Sequence, residues 1–204
     1  MRVLYVSLSL LILDQLTKLA VRGFSIPFLG ISHEGMPYGS SKPVLGNWFK
    51  LTFIENPTMA FSLPFGGEGY QKLFLTMFAL AAAIGLIIYL YRHRTAPRLM
   101  RIAIALIVAG ALGNLIDRVF YGVLFGYAGY FQGHVVDFVH FDLFTVHFGS
   151  GGFKFWPIFN VADCAVSIGV VLMLFAARPH RAEETAVAST PASATPTPEP
   201  SPGQ

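Results

Sequence analysis

The stretch Leu73–Tyr91, LFLTMFALAAAIGLIIYLY, holds no charged residue between Lys72 and Arg92. Its 19 residues, at a rise of 1.5 Å each, span about 28 Å as a helix, close to the roughly 30 Å hydrocarbon core of a bilayer. This run decides the fold, because it reads as a membrane-spanning helix. Three more apolar segments accompany it. One covers Val3–Val21 and is interrupted by Asp14, Gln15 and Lys18. Another starts at Ile102 and reaches Asp117 and Arg118, and the last runs from Pro157 to Ala177 with Asp163 inside it. The expected fold is an all-α membrane protein, a bundle of four transmembrane helices at 3–21, 73–91, 102–119 and 157–177.

Composition points the same way. The chain has 204 residues, 54% hydrophobic and 12% charged, with a mean hydropathy of +0.58. A soluble domain carries about twice that charged fraction, so a disordered chain is excluded and the composition argues against an ordinary soluble domain. A single cysteine excludes a disulfide framework and a Cys-based zinc or iron–sulfur site. The pI near 9.1 comes from Lys and Arg placed between apolar runs. No basic stripe interleaved with aromatics exists, so no nucleic-acid partner is expected. Arg2 and Val3–Leu13 have the shape of a secretory leader. Asp14, Gln15 and Lys18 follow directly, and no A-x-A site comes after them, so the segment reads as a retained helix.

The basic residues give an orientation. Arg2 precedes helix one, Arg92, Arg94, Arg98 and Arg101 crowd the link between helices two and three, and Arg178 and Arg181 follow helix four. The positive-inside rule then puts both termini in the cytoplasm. The outer side holds two longer loops, 24–69 and 120–156, with sparse basic residues (Lys42, Lys50, Lys154) and Trp156 at the interface. Trp48–Ile54, WFKLTFI, partly alternates and predicts a strand of a small extracytoplasmic β platform. Pro and Gly break the residues before it and the segment Phe61–Gly69 into turns. Residues 182–204 are dense in Pro, Ser and Thr without apolar periodicity, and read as a disordered cytoplasmic tail after a membrane domain over 1–181.

Ionisable residues inside a spanning segment cost at least about 2.5–3.5 kcal/mol each on insertion scales, so they need partners and mark function. Asp14 and Lys18 are four apart and share a helix face. They read either as a structural ion pair or as a site for a deprotonated catalytic lysine, for which no serine nucleophile is evident. In GALGNLIDR, Gly110–Arg118, the residues Gly110, Asn114 and Arg118 share a face, with Gly113 and Asp117 in the next row. The glycines allow close helix approach. Asn114 and Arg118 either glue helices and snorkel, or aim donors at a peptide carbonyl. Asp137 lies in a loop stretch HVVDF, His134–Phe138, between apolar neighbours, and FNVADCAVSIG opens helix four with Asn160 and Asp163 on one face.

If Asp137 folds back to the mouth of helix four, two carboxylates meet at the outer membrane boundary. One then keeps a proton while the other acts as base, which is aspartic-protease chemistry. The plain alternative is a helix N-cap for one and a loop turn for the other. His134, His140 and His147 match no common ligand spacing, so no metal site is expected. Ser62, Ser167 and the other hydroxyls lack a nucleophile motif. Cys164 is turned from the Asp163 direction toward the Ser167 row and reads as a bystander.

Taken together these residues resemble the bacterial lipoprotein signal peptidase (signal peptidase II) family. The likeness rests on Asp14, Thr17 and Lys18 for a D-x-x-T-K motif, and on Asn56, Ala60 and Phe61 for an N-x-G-x-A-F motif. It continues in Gly110–Arg118, in Val135–Phe138 and in Phe159–Asp163. Thr58 stands where the second motif has Gly, and Tyr121–Gly133 and Asp142–Gly152 look like added segments. The resemblance implies an inner-membrane aspartyl endopeptidase, without cofactor. It would act in membrane lipid on diacylglyceryl-modified prolipoproteins, cutting on the amino side of the lipidated cysteine; apart from the resemblance, a monomer is expected. By the same resemblance Asp137 and Asp163 are the catalytic pair, and Asn56, Asn114, Arg118 and Asn160 position substrate or support that pair. Asp14, Lys18 and Asp117 stabilise the bundle, and a β-cradle and a short amphipathic helix stand over the site. The competing reading is a small proton-coupled transporter, since intramembrane Asp, Lys, Asn and Arg also mark proton relays. Against it, the polar residues gather at the outer end and leave no continuous path.

Overall fold

The computed structural model describes residues 3–57, 68–142, 145–148, 151–154 and 158–177. Helix α1 is Val3–Arg22, α2 is Glu68–Arg92 and α3 is Arg98–Ile116. A π-helical turn, Asp117–Tyr121, continues α3 into the short α4, Gly122–Leu124. Helix α5 is Val161–Ala176. Among the described residues, three helices are long and apolar enough to cross a membrane: Val3–Arg22, Lys72–Arg92 and the continuous rod Arg98–Leu124. At 16 residues α5 is shorter than that.

Helix α3 is the hub, packing on α1, α2 and α5. Its glycines make this possible. A Cβ on Gly110 would collide with the Ala162 carbonyl oxygen, and one on Gly113 would lie 2.6 Å from Asp14 Oδ2. From α5, a Cβ on Gly169 would lie 2.8 Å from the Ala103 carbonyl oxygen. Small residues thus let backbones approach where lipid gives helices no hydrophobic reason to associate. One apolar core, with Val3, Leu90, Ile104, Ala105 and Val108, sits at the Arg-rich end. The opposite core joins Val21, Met36, Phe53, Tyr121, Val136 and Phe138. Outward faces stay apolar and uncovered, with Leu8, Ile12 and Leu16 on α1, Phe74 and Phe78 on α2, and Val171 and Leu174 on α5 all exposed.

The strands are antiparallel. β1 (Phe24–Ile26) pairs with β2 (Ile31–His33). β3 (Ser41–Leu45), β4 (Phe49–Asn56) and β5 (Val135–Phe141) form a three-stranded sheet in that order. β6 (Thr145–Phe148) pairs with β7 (Gly151–Lys154). The register of β4 on β5 sets Asn56 opposite Val135 and Ile54 opposite Asp137, with a bulge between Leu51 and Ile54. On its other side β5 meets Phe159, which exchanges backbone hydrogen bonds with Val139 at 2.7 and 3.1 Å. That bridge lays the start of α5 along the sheet.

Several expectations change. Asp137 is on a strand, not in a loop. β5 is buried on both sides over Val135–Phe138, so apolar residues stand on both faces and the alternation that marks a half-buried strand is lost. Helix three starts at Arg98 rather than 102 and runs on to Leu124 rather than stopping at 119. Helix two starts at Glu68, where a turn was expected, and helix four starts at Val161, after an Asn160 N-cap. The turn-rich residues before Trp48 supply β1, β2 and β3. Outside the long helices, the short helical turns among the described residues are Pro27–Leu29 and Gly122–Leu124. Thr58, Ala60, Phe61, Ser62, Trp156, Arg178, Arg181 and the tail lie outside the described residues, as do the side chains of His147 and Lys154.

Candidate active site

Asn160 caps α5. Its Oδ1 accepts the Asp163 backbone N–H at 3.0 Å, and Asp163 Oδ2 accepts the Asn160 N–H at 3.2 Å, a reciprocal capping box. Such boxes satisfy two of the donors that a helix start leaves open. The free end of the Asn160 amide, Nδ2, donates to Asp137 Oδ1 at 2.7 Å, to the Val136 carbonyl at 3.2 Å and to Asn114 Oδ1 at 3.1 Å. Asn114 Nδ2 donates to Asp163 Oδ1 at 2.8 Å. Two carboxylates, one from β5 and one from the first turn of α5, are thus held on the same pair of amides. Asn56 Nδ2 reaches Asp137 Oδ2 from β4 at 3.4 Å.

Asp137 is 3% exposed. Burial first, and the neighbouring Asp163 charge second, push its carboxyl up to about 7, against the pull of Asn160, Asn56 and Lys18. Arg118 lies beside Asp117, Asp137 and Asp163 in the same electrostatic field. Its Nη1 is buried and has no hydrogen-bond partner among the described residues. A buried unpaired donor is rare, and here it is a donor free to take an incoming oxygen.

Behind this layer is a second one. Lys18 Nζ, fully buried, donates to Asp14 Oδ2 at 2.8 Å, Asp117 Oδ2 at 2.7 Å and Asn114 Oδ1 at 2.9 Å, so all three of its protons are used. The predicted Asp14–Lys18 pair is therefore real but widened to a triad, with no serine on the lysine among the described residues. All nine predicted site residues gather at one end of the bundle. The helix N-cap is Asn160 rather than an aspartate; Asp163, three residues on, closes the capping box with its backbone and Oδ2 while its Oδ1 faces Asn114.

Gln15 was missed. Its Nε2 donates to Asp117 Oδ1 at 3.0 Å, Asp14 Oδ2 at 3.1 Å and the Gly113 carbonyl at 3.1 Å. A helical step of about 100° sets Gln15 off the Asp14–Lys18 face, which hid it. Its signal was that an uncharged amide in a spanning segment also needs partners. His134 and His140 have separate partners. His140 Nδ1 meets Thr52 Oγ1 at 2.8 Å, and His134 sits between Glu55 Oε2 at 3.4 Å and Lys72 Nζ at 3.3 Å.

Apolar faces left open along several helices, closed at one end over a largely buried polar cluster, define a membrane protein with a buried carboxylate site. A family model described as Signal peptidase (SPase) II matches residues 6–178. The chain belongs to that family, and it is a peptidase. A protein named Lipoprotein signal peptidase from Ralstonia nicotianae is 38% identical over 164 residues, covering 80% of this chain and 76% of the relative. One of the same name from Porphyromonas gingivalis W83 is 36% identical over 192 residues, covering 81% and 77%. A solved bacterial membrane enzyme superposes with a TM-score of 0.61 at 28% identity, covering 86% of this chain and 91% of that one.

Proposed function

We propose that this peptidase removes signal peptides from diacylglyceryl-modified prolipoproteins, as an aspartic endopeptidase that cuts on the amino side of the lipidated cysteine. The observation that carries the reading is the shared amide. Asn160 binds Asp137 through Nδ2 and Asp163 through Oδ1 and its backbone. Both oxygens of Asp163 already accept N–H donors, the arrangement of a proton acceptor. Asp137, raised to about 7, keeps its proton near neutrality. In the reaction Asp163 takes a proton from water as the water attacks the scissile carbonyl. Asp137 hydrogen-bonds the developing oxyanion and protons then pass to the leaving amine. Arg118 Nη1 holds a carbonyl of the substrate. The chemistry needs two carboxylates and one water.

The Arg-rich link between α2 and α3 lies at the opposite end of the bundle from the aspartates. The positive-inside rule then sets the site near the outer face of the inner membrane, with both termini cytoplasmic and α5 as a fourth span. A lipid-anchored helical substrate can enter there sideways, and water can reach the bond. The working unit is residues 1–181, a monomer with the sheet β3–β4–β5 as its cradle, followed by the tail 182–204. A proton-coupled transporter is not supported, because the matching family is one of peptidases. The test is cleavage of a diacylglyceryl-modified prolipoprotein by the purified protein in detergent. Asp137→Asn and Asp163→Asn should each insert, accumulate and fail to cleave. Full activity in either removes the assignment of the pair.

A further inference from the structure

Two buried carboxylates take no part in this chemistry, yet each is tied to it. Asp14 Oδ1 accepts the Ala162 N–H at 2.9 Å, and Asp117 Oδ2 accepts the Val136 N–H at 3.3 Å. Ala162 immediately precedes Asp163, and Val136 immediately precedes Asp137. The spacing of those two N–H groups therefore follows the spacing of Asp14 and Asp117. That spacing is set by two bridging donors. Lys18 Nζ spans the pair at 2.8 and 2.7 Å, and Gln15 Nε2 spans it again at 3.1 and 3.0 Å. Tyr121 Oη donates to Gln15 Oε1 at 3.1 Å, which fixes which end of the amide faces the carboxylates.

We infer that Gln15, with Lys18, gauges the separation of Asp137 and Asp163, and is a positioning residue for cleavage. This rests on the catalytic reading above. Lys18 offsets the like charges of Asp14 and Asp117, but an ammonium is a rotatable point donor. A planar amide bridging the same two carboxylates at a second point removes the remaining rotation. The π-helical turn that begins at Asp117 brings Tyr121 to Gln15 as well, and Tyr121 is 2% exposed. Displacing reacting groups by about 1 Å costs about 10²-fold in rate, so a gauge of this kind acts on turnover rather than on substrate capture.

Gln15 tests the inference better than Lys18, whose removal leaves two buried carboxylates unpaired and threatens the fold. The variants are Gln15→Leu, Tyr121→Phe, their combination, and Ser7→Ala. Ser7 Oγ donates to the Ala105 carbonyl at 2.7 Å, joining the same helices α1 and α3 at their far end. For each purified protein kcat, KM and the thermal midpoint are measured on lipidated prolipoprotein in detergent. Gln15→Leu should lose about 10- to 100-fold in kcat with KM within about twofold. Tyr121→Phe should lose about fivefold, the worth of one hydrogen bond. The double variant should be no slower than Gln15→Leu, because Tyr121 acts through Gln15. Ser7→Ala should lower the midpoint and keep kcat.

Parent kcat in folded Gln15→Leu, losses that multiply in the double variant, or a matching kcat loss in Ser7→Ala would each overturn the inference. If Gln15→Leu does not fold, unchanged kcat in Tyr121→Phe overturns it. Asp137→Asn and Asp163→Asn run in the same assay. Cleavage by either sinks the catalytic reading. Two inactive aspartate variants beside a Gln15→Leu protein of parent rate sink the gauge alone.

Discussion

Asn114 Oδ1 takes a hydrogen bond from Lys18 Nζ at 2.9 Å, which leaves Asn114 Nδ2 facing Asp163 Oδ1 at 2.8 Å. An ammonium can only donate, so Lys18 decides which end of the amide points at the carboxylate. Asn160 does the same on the other side, because the Asp163 N–H occupies its Oδ1 and leaves Nδ2 for Asp137. Each aspartate thus faces a donor whose orientation is dictated from behind.

Asn160 has two separable duties. Asn160→Ala removes the cap, worth about 1 kcal/mol, together with the donor to Asp137. Asn160→Ser restores an N-cap oxygen but cannot reach Asp137. Thermal midpoints should therefore fall for Ala and largely recover for Ser, while cleavage stays low in both. Recovery of cleavage in the Ser variant would show that the cap is its whole contribution.

Acidity follows Asp137. Unfolding returns its carboxyl from about 7 to about 4. Between those values the folded chain holds a proton that the unfolded chain has lost, so this contribution to stability declines as pH rises. Under the proposed mechanism, which uses the protonated form, cleavage should decline as pH rises through about 7. Asp137→Asn removes the penalty, so its thermal midpoint should exceed that of the parent most at pH above about 7, where the penalty is complete, and match it only below about pH 4. Equal midpoints at both would contradict the assignment.

Glycine at α3 is a matter of space. Gly110→Ala drives a methyl into the Ala162 carbonyl and Val166, and such overpacking costs about 1–3 kcal/mol. It should reduce folded yield and, by shifting α5, cleavage. Gly85→Ala on α2 meets no atom within 4 Å and should be neutral or slightly stabilising by helix propensity. Thermal midpoints of the two variants side by side are the measurement.

Cys164 follows Asp163 on α5 and is half-buried. With both aspartates served by Asn114 and Asn160, the thiol has no part in the scheme. Cys164→Ala should cleave at close to the parent rate, and alkylation should inhibit weakly at most. Loss of activity in a well-folded Cys164→Ala protein would move the nucleophile from water to the thiol.

What the chain announces by itself is periodic and local. The spans are legible because 19 uncharged residues in a row have few other uses. The Asp14–Lys18 pair is legible because four residues make one helical turn. β4 partly alternates and could be read, offset by one or two residues. β5 could not, because its strand state comes from β4, some 80 residues away in sequence, and from burial on both faces. The bridge from Phe159 to Val139 is likewise tertiary, and without it nothing in the spacing brings Asp137 to Asn160. Gln15 escaped because its partners lie on α3 and the π-helical turn rather than along its own helix.

That bridge also limits how a peptide can be gripped. Phe159 occupies the N–H and C=O of Val139, while Asp117 and Asn160 occupy those of Val136. The backbone on either side of Asp137 is therefore already engaged, and an incoming chain finds no open edge there to join as an added strand. Along this part of β5, recognition falls on side-chain donors and on whatever the chain carries into the bilayer. A main-chain ladder reads any extended peptide alike. A site without one is free to ignore most peptides and respond to the anchored few.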